Sequence, residues 1–221
     1  MSLSIRDNLL NIQKEIAHYT PNIIAVTKYF GTEEMLKAYE AGLRDFGESR
    51  ANEAIEKITE LPSYVRENSK FHFIGHLQTN KAEKVVKYFD YIHSVDSLKL
   101  ALVISEAAKK SGKKQKILLQ LNNANEEQKF GYSKEDLLND FPHIINLDGV
   151  EVVGLMNIAP LTESESELNR LFSEVREFKT NLETEFNFPM KELSMGMSND
   201  YKIAAANGAT MIRIGRKLFS Y

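Results

Sequence analysis

The chain has 221 residues, 43% of them hydrophobic and 27% charged, which suits one compact domain over 1–221 and requires no second folding unit. Its net charge of -3 supplies no broad attraction for nucleic acid or an anionic membrane surface. With no cysteine there is no disulfide, thiolate metal ligand or cysteine nucleophile; with no apolar stretch of membrane-spanning length and no signal-peptide pattern, the expected compartment is the cytoplasm.

The first predicted element is an amphipathic helix, in which Ile5, Leu9, Ile12 and Ile16 recur at helical spacing behind the capping pair Ser4 and Asp7. Next comes the run Ile23-Ile24-Ala25-Val26-Thr27, ended by Lys28, inside a strand predicted over 22–29. Seven more strands follow at 44–48, 70–75, 91–96, 116–122, 150–158, 192–196 and 210–215. Helical patterns at 33–41, 80–89, 97–110, 164–186 and 198–207 separate them, so the strands would run parallel. Eight strands in βα alternation point to a closed (β/α)8 TIM barrel, with a doubly wound open sheet as the alternative because alternation does not prove closure. Only six residues follow Gly215, too few for a final helix, so the amino-terminal helix is expected to cover the wall left bare. The basic cluster 109–116 follows a helix and reads as cations at its negative dipole end, without a partner.

A lysine emerging at the carboxyl edge of a parallel sheet stands where α/β proteins place their chemistry. Lys28, partly desolvated there, could attack a carbonyl to form a Schiff base, or simply reach water. In such barrels the loops after strands seven and eight often bind phosphate, and here they read Ser194-Met195-Gly196-Met197-Ser198-Asn199-Asp200 and Ile214-Gly215-Arg216. Backbone N–H groups, serine hydroxyls and close approach at Gly215 would hold a dianion; alternatively Ser198 only caps a helix and Gly215 only ends a strand. Taken with Lys28, the loops describe a site for a phosphorylated aldehyde, of which pyridoxal 5'-phosphate (PLP) is the obvious example. Met211, Arg213 and Gly215 share the inward face of the last strand, so Arg213 needs a partner: a carboxylate such as Glu48, or the pyridine nitrogen of the cofactor. A cation at that nitrogen opposes its protonation and makes the ring a poorer electron sink.

Several segments resemble, in order, the pyridoxal phosphate homeostasis protein family, whose barrel is similar to the amino-terminal domain of alanine racemase. They are Ile24-Ala25-Val26-Thr27-Lys28, Phe46-Gly47-Glu48, the stretch 71–81 (FHFIGHLQTNK), Ile92-His93-Ser94-Val95-Asp96-Ser97, Gly154-Leu155-Met156-Asn157-Ile158-Ala159-Pro160, 193–200 and Ile212-Arg213-Ile214-Gly215. The resemblance implies that Lys28 holds PLP as an internal aldimine, that Arg213 faces its pyridine nitrogen, and that Ser194, Ser198, Gly215 and Arg216 line its phosphate. Val26, Ser49, His72, Met156, Met195, Gly196 and Met197 complete the expected cofactor-binding set, with no metal. The implied role is a carrier or buffer in vitamin B6 homeostasis, acting as a monomer or weak dimer with apo-forms of PLP-dependent enzymes as partners. Ser49 stands where the family usually has asparagine, Thr27 where serine is common, and Arg216 where threonine is usual.

The main alternative is a racemase-like PLP enzyme of low activity. Racemisation needs a proton acceptor on each face of the cofactor, and Lys28 provides one. The racemase family draws its opposing tyrosine from a second domain, for which this chain has no residues. Tyr29 is expected to point away from Lys28, and both Tyr29 and Tyr201 are read as packing residues. An aldolase-like barrel acting on a sugar phosphate would share the lysine and phosphate loop but lack a visible band. His72 and His76 straddle a strand end while His18, His93 and His143 are scattered, so no metal-ligand spacing emerges. His72, Gln78 and Asn80 are expected at the barrel mouth or on a surface for apo-enzyme partners.

Overall fold

A computed structural model describes residues 4–124, 130–162 and 164–220. Eight strands, β1 (Asn22–Val26), β2 (Asp45–Glu48), β3 (Lys70–Phe73), β4 (Tyr91–Val95), β5 (Gln115–Leu121), β6 (Val150–Asn157), β7 (Glu192–Ser194) and β8 (Met211–Ile214), pair in parallel and in sequence. β8 then pairs with β1, in the register Ile24 to Arg213 and Ala25 to Ile214, which closes the barrel and excludes the open sheet.

Helices α1 (Ile5–Glu15), α2 (Thr32–Glu40), α3 (Ala51–Glu60), α4 (Ser63–Glu67), α5 (Ala82–Tyr88), α6 (Leu98–Lys110), α7 (Lys134–Ile144), α8 (Glu165–Phe186), α9 (Tyr201–Ala206) and α10 (Arg216–Phe219) surround it. Small polar residues start several of them: the Ser97 and Ser164 hydroxyls accept from the N–H of Leu100 and Glu167 at 3.3 Å each. The basic cluster divides between two helix ends, since Lys109 and Lys110 lie in the last turn of α6 while Lys113 donates to the carbonyls of Val86 and Phe89 at the end of α5. No described helix is long and apolar enough to cross a membrane.

Alternation along each strand divides the apolar residues into two sets. Ile23, Ala25, Phe46, Phe71, Phe73 and Ile92 face the helices as part of one contiguous buried cluster. Ile24, the register partner of Arg213, and Met156 and Met211, the register partners of Ser194, are buried on the other face, inside the barrel. Gly47 shares that interior, where an added Cβ would lie 2.9 Å from Ile24 and 3.2 Å from Ile74, so the crowding of the barrel centre accounts for the glycine.

The ends of the chain complete the wall. Ile5, Leu9, Ile12 and Ile16 are buried, as their spacing predicts, and the Ser4–Asp7 capping box forms. Contrary to the expectation of no final helix, residues after Gly215 make the single-turn α10, because Leu218 and Phe219 have buried positions to fill against α1. Asn8 fastens the two ends, its Nδ2 donating to the carbonyls of Leu218 at 3.0 Å and Ser220 at 3.1 Å. Replacing Asn8 with alanine strands a carbonyl that is otherwise capped, and an urea titration should register a loss of about 1–2 kcal/mol; an unchanged midpoint would mean that α1 is held by its apolar stripe alone.

Candidate functional site

β1 ends at Val26, earlier than the strand predicted over 22–29, so Lys28 sits in the turn beyond the strand rather than as its last residue. The ladder runs one residue further, Thr27 N–H donating to Gly47 O at 3.0 Å, and a turn then closes with Phe30 N–H on Thr27 O at 2.9 Å. The turn is pinned from outside the barrel. Lys57 of α3 donates to Thr27 O at 2.9 Å, Phe30 O at 3.1 Å and the carboxylate of Glu48, while the Thr27 hydroxyl donates to the same Glu48 oxygen at 2.7 Å. Glu48 is therefore not the partner of Arg213. It lies on the outward face of β2, and its two bonds there leave it buried but satisfied.

Lys28 is half-buried, with its ammonium 5.0 Å from the centre of the Tyr29 ring, beside a cavity of about 500 Å³ that Arg50, Glu53 and Lys57 also line. Tyr29 thus lies against the lysine instead of pointing away, and it is 72% exposed, so it is not a packing residue. Tyr201 does pack: it is buried, its hydroxyl bonded to Glu15 and Lys217.

Arg213 on β8 is 4% exposed and points into the barrel, where Nη1 donates to Ser194 Oγ at 2.7 Å and Nη2 to Asn157 O at 2.7 Å. Burial pushes its pKa down to about 10, with the nearby Asp200 carboxylate opposing, so it remains a cation at neutral pH. Those bonds use two of its five N–H groups, which leaves donors for a further acceptor. From Ser194 the hydrogen bonds continue down through the barrel: Ser194 Oγ to His93 Nδ1 at 2.9 Å, His93 Nε2 to His72 Nδ1 at 2.9 Å, and His72 Nε2 to Asp45 Oδ1 at 2.8 Å. Burial, His72 and Arg213 together hold the His93 pKa well below the ordinary imidazole value, so it is neutral. Tyr91 stacks on His72 with ring centres 4.6 Å apart.

Around Arg213 lie the two loops singled out in the sequence. Gly196 has φ +92, and an added Cβ would come within 2.5 Å of the Ala204 Cβ. Its carbonyl accepts from Arg213 N–H at 2.9 Å. The N–H groups of Met195 and Met197 are used, by Met211 O at 3.1 Å and Asp200 Oδ1 at 2.5 Å, whereas those of Ser198 and Asn199 have no acceptor among the described residues. At Gly215 an added Cβ would meet only Val26, at an ordinary 3.5 Å. The missing side chain leaves space beside Val26.

The profile of the family described as alanine racemase, N-terminal domain, matches residues 3–221. A pyridoxal phosphate homeostasis protein of Synechocystis is 42% identical over 206 residues, 92% of this chain and 94% of the relative. The chain belongs to the pyridoxal phosphate homeostasis protein family. Among solved structures, PipY of Synechococcus elongatus with PLP bound is 38% identical, with a TM-score of 0.88 over 98% of this chain and 100% of that one. Alanine racemase of Clostridium difficile, 18% identical with a TM-score of 0.80, shares the fold over 99% of this chain and 56% of its own.

Within this homeostasis-family barrel, Val26, Lys28, Arg213 and Gly215 lie on the adjoining strands β1 and β8 or just beyond their carboxyl ends, with the Ser194–Ser198 loop beside them. Met156 and Met195 are fully buried, Met156 inside the barrel and Met195 toward the helices. Ser49 is half-buried and packs its backbone against Gly75, where an added Cβ would lie 2.3 Å from Ser49 O. Arg216 is exposed as the first residue of α10. Ser198 does not cap the following helix as one sequence reading had it: α9 starts only at Tyr201, because Asp200 takes the cap position and folds its carboxylate back on Met197 N–H. His72 is not at the mouth, being fully buried with both ring nitrogens bonded; Gln78 and Asn80 are exposed. Lys57, His93, Asp45 and Asn157 were not singled out as site residues. The signal for the histidines was the apolar-polar-apolar order of Phe71-His72-Phe73 and the matching place of His93 in β4, which turn both rings inward.

Proposed function

We propose that this protein binds PLP through a Schiff base at Lys28 and serves as an intracellular carrier or buffer of the cofactor, delivering it to apo-forms of PLP-dependent enzymes. The reading is supported most by Arg213, a buried guanidinium with donors to spare beside a glycine that keeps space open. PLP carries an aldehyde, a phosphate and a ring nitrogen, and the residues at this end of the barrel offer a group of suitable chemistry for each. Lys28 supplies the amine, which condenses with the aldehyde and releases water. The free N–H groups of Ser198 and Asn199, with Gly215 and Arg216 opposite, suit the phosphate. Arg213 donates to the ring nitrogen and keeps it unprotonated, which withholds the electron sink that PLP supplies to amino-acid chemistry. That restraint favours storage over turnover.

The test is an absorption spectrum of the purified protein mixed with PLP, followed by borohydride reduction and peptide mass mapping. The expected result is a visible band that bleaches on reduction and leaves a phosphopyridoxyl group on Lys28. A protein that stays colourless and unmodified in excess PLP would remove the reading.

A further inference from the structure

We infer that Asp45, at the floor of the barrel, is a positioning residue whose negative charge fixes the proton positions of His72 and His93 and thereby holds Ser194 as an acceptor for Arg213. Two ends constrain the chain of hydrogen bonds. The Arg213 guanidinium can only donate, and an ionised Asp45 can only accept. His72 must then carry its proton on Nε2, facing Asp45 Oδ1 at 2.8 Å, which leaves Nδ1 bare. The bond to His93 at 2.9 Å consequently needs the proton of His93 on Nε2, and bare Nδ1 of His93 needs the Ser194 hydroxyl as donor. Ser194 Oγ then turns its lone pairs to Arg213 Nη1 at 2.7 Å. With neutral imidazoles and a carboxylate that can only accept, no other assignment satisfies all four bonds.

The reverse arrangement places both histidine protons on Nδ1. It sets the bare His72 Nε2 against a carboxylate and gives the Ser194 hydroxyl proton no acceptor in the chain, so it requires Asp45 to be neutral. Water has no access to blur the choice: His72, His93 and Ser194 are 0% exposed and Arg213 is 4% exposed. The stacked Tyr91 ring fixes the orientation of His72. Only Asp45 reaches outward, its side chain 16% exposed beside a cavity of about 550 Å³ under the floor, which Leu9, Ile16 and Leu43 also line. A charge at one end of the barrel is therefore read at the other, through bonds that polarise one another in a dry interior.

The experiment is long-range proton–nitrogen NMR of the histidine side chains in the ligand-free protein at neutral pH, assigned by single histidine substitutions. Wild type should show His72 and His93 neutral and protonated on Nε2. Asp45→Leu, which removes the acceptor for His72 Nε2–H, and the isosteric Asp45→Asn, which can accept from or donate to that nitrogen and guards against an unfolded leucine variant, should each populate both tautomers. A His93 protonated on Nδ1 in wild type, a cationic His72, or wild-type tautomers retained in Asp45→Asn would each overturn the inference. A second readout rests on the proposed binding of PLP: Asp45→Asn should shift the visible band and weaken retention about fivefold, the effect of roughly one neutral hydrogen bond. If wild type takes up no PLP, the proposed function fails while the tautomers still decide the chain. If wild type is coloured and Asp45→Asn matches it in band and retention, the link from floor to cofactor fails alone.

Discussion

Lys28→Ala should abolish the visible band and the borohydride adduct while leaving the melting temperature within about 2 °C of wild type. The loss is expected to be complete because, among the described residues lining the same cavity, no other amine is free to substitute. Lys57 is the nearest competitor among the residues lining the same cavity, and its ammonium is already bonded to Thr27 O, Phe30 O and Glu48. The fold should tolerate the change for the same reason: the turn is held through the backbone atoms and hydroxyl of Thr27 and through Lys57, none of which belongs to the Lys28 side chain. Absorbance, adduct mapping and thermal melts of the variant decide the matter. A full band in Lys28→Ala would assign the aldehyde to another lysine.

Gly196→Ala should cost about 3 kcal/mol, read as a fall of roughly 6–12 °C in the melting temperature, together with weaker cofactor retention. Two penalties coincide. An L side chain at φ +92 is strained, and its Cβ would stand 2.5 Å from Ala204 Cβ and 3.0 Å from Tyr201 Cα, so α9 must move away from the loop. The displacement reaches the site because Gly196 O accepts from Arg213 N–H at 2.9 Å. A melting temperature within 2 °C of wild type would show that α9 yields without cost and that the glycine serves another purpose.

The strands are legible in the sequence because parallel strands covered on both faces are short apolar runs, and Ile23 to Val26 or Ile117 to Leu121 cannot be read otherwise. Lys28, Arg213 and the Gly196 loop are legible for a similar reason: each ends or follows such a run, so its place at the carboxyl edge follows from chain direction. What pairs across the barrel is not legible in the same way. Glu48 and Asp45 lie three residues apart on one strand, and only the register decides that the first faces α3 and the second the interior. The contact of His72 with His93 depends likewise on how far β4 is staggered against β3. Lys57 looks like any solvent-facing lysine of an amphipathic helix, and only the packing angle of α3 brings it over the turn before Phe30.

The fastening of α1 to the last turn has a kinetic side. β1 cannot complete its pairing until β8 exists, and the Asn8 amide finds its acceptors only at Leu218 and Ser220, more than two hundred residues downstream. While the chain is being made, the stripe of Ile5, Leu9, Ile12 and Ile16 emerges well before β8 and α10 and is sealed only after them. The segment that carries Asn8 thus waits through the making of every later strand for its acceptors, and the lysine turn that follows it acquires its full surroundings in the same late closure.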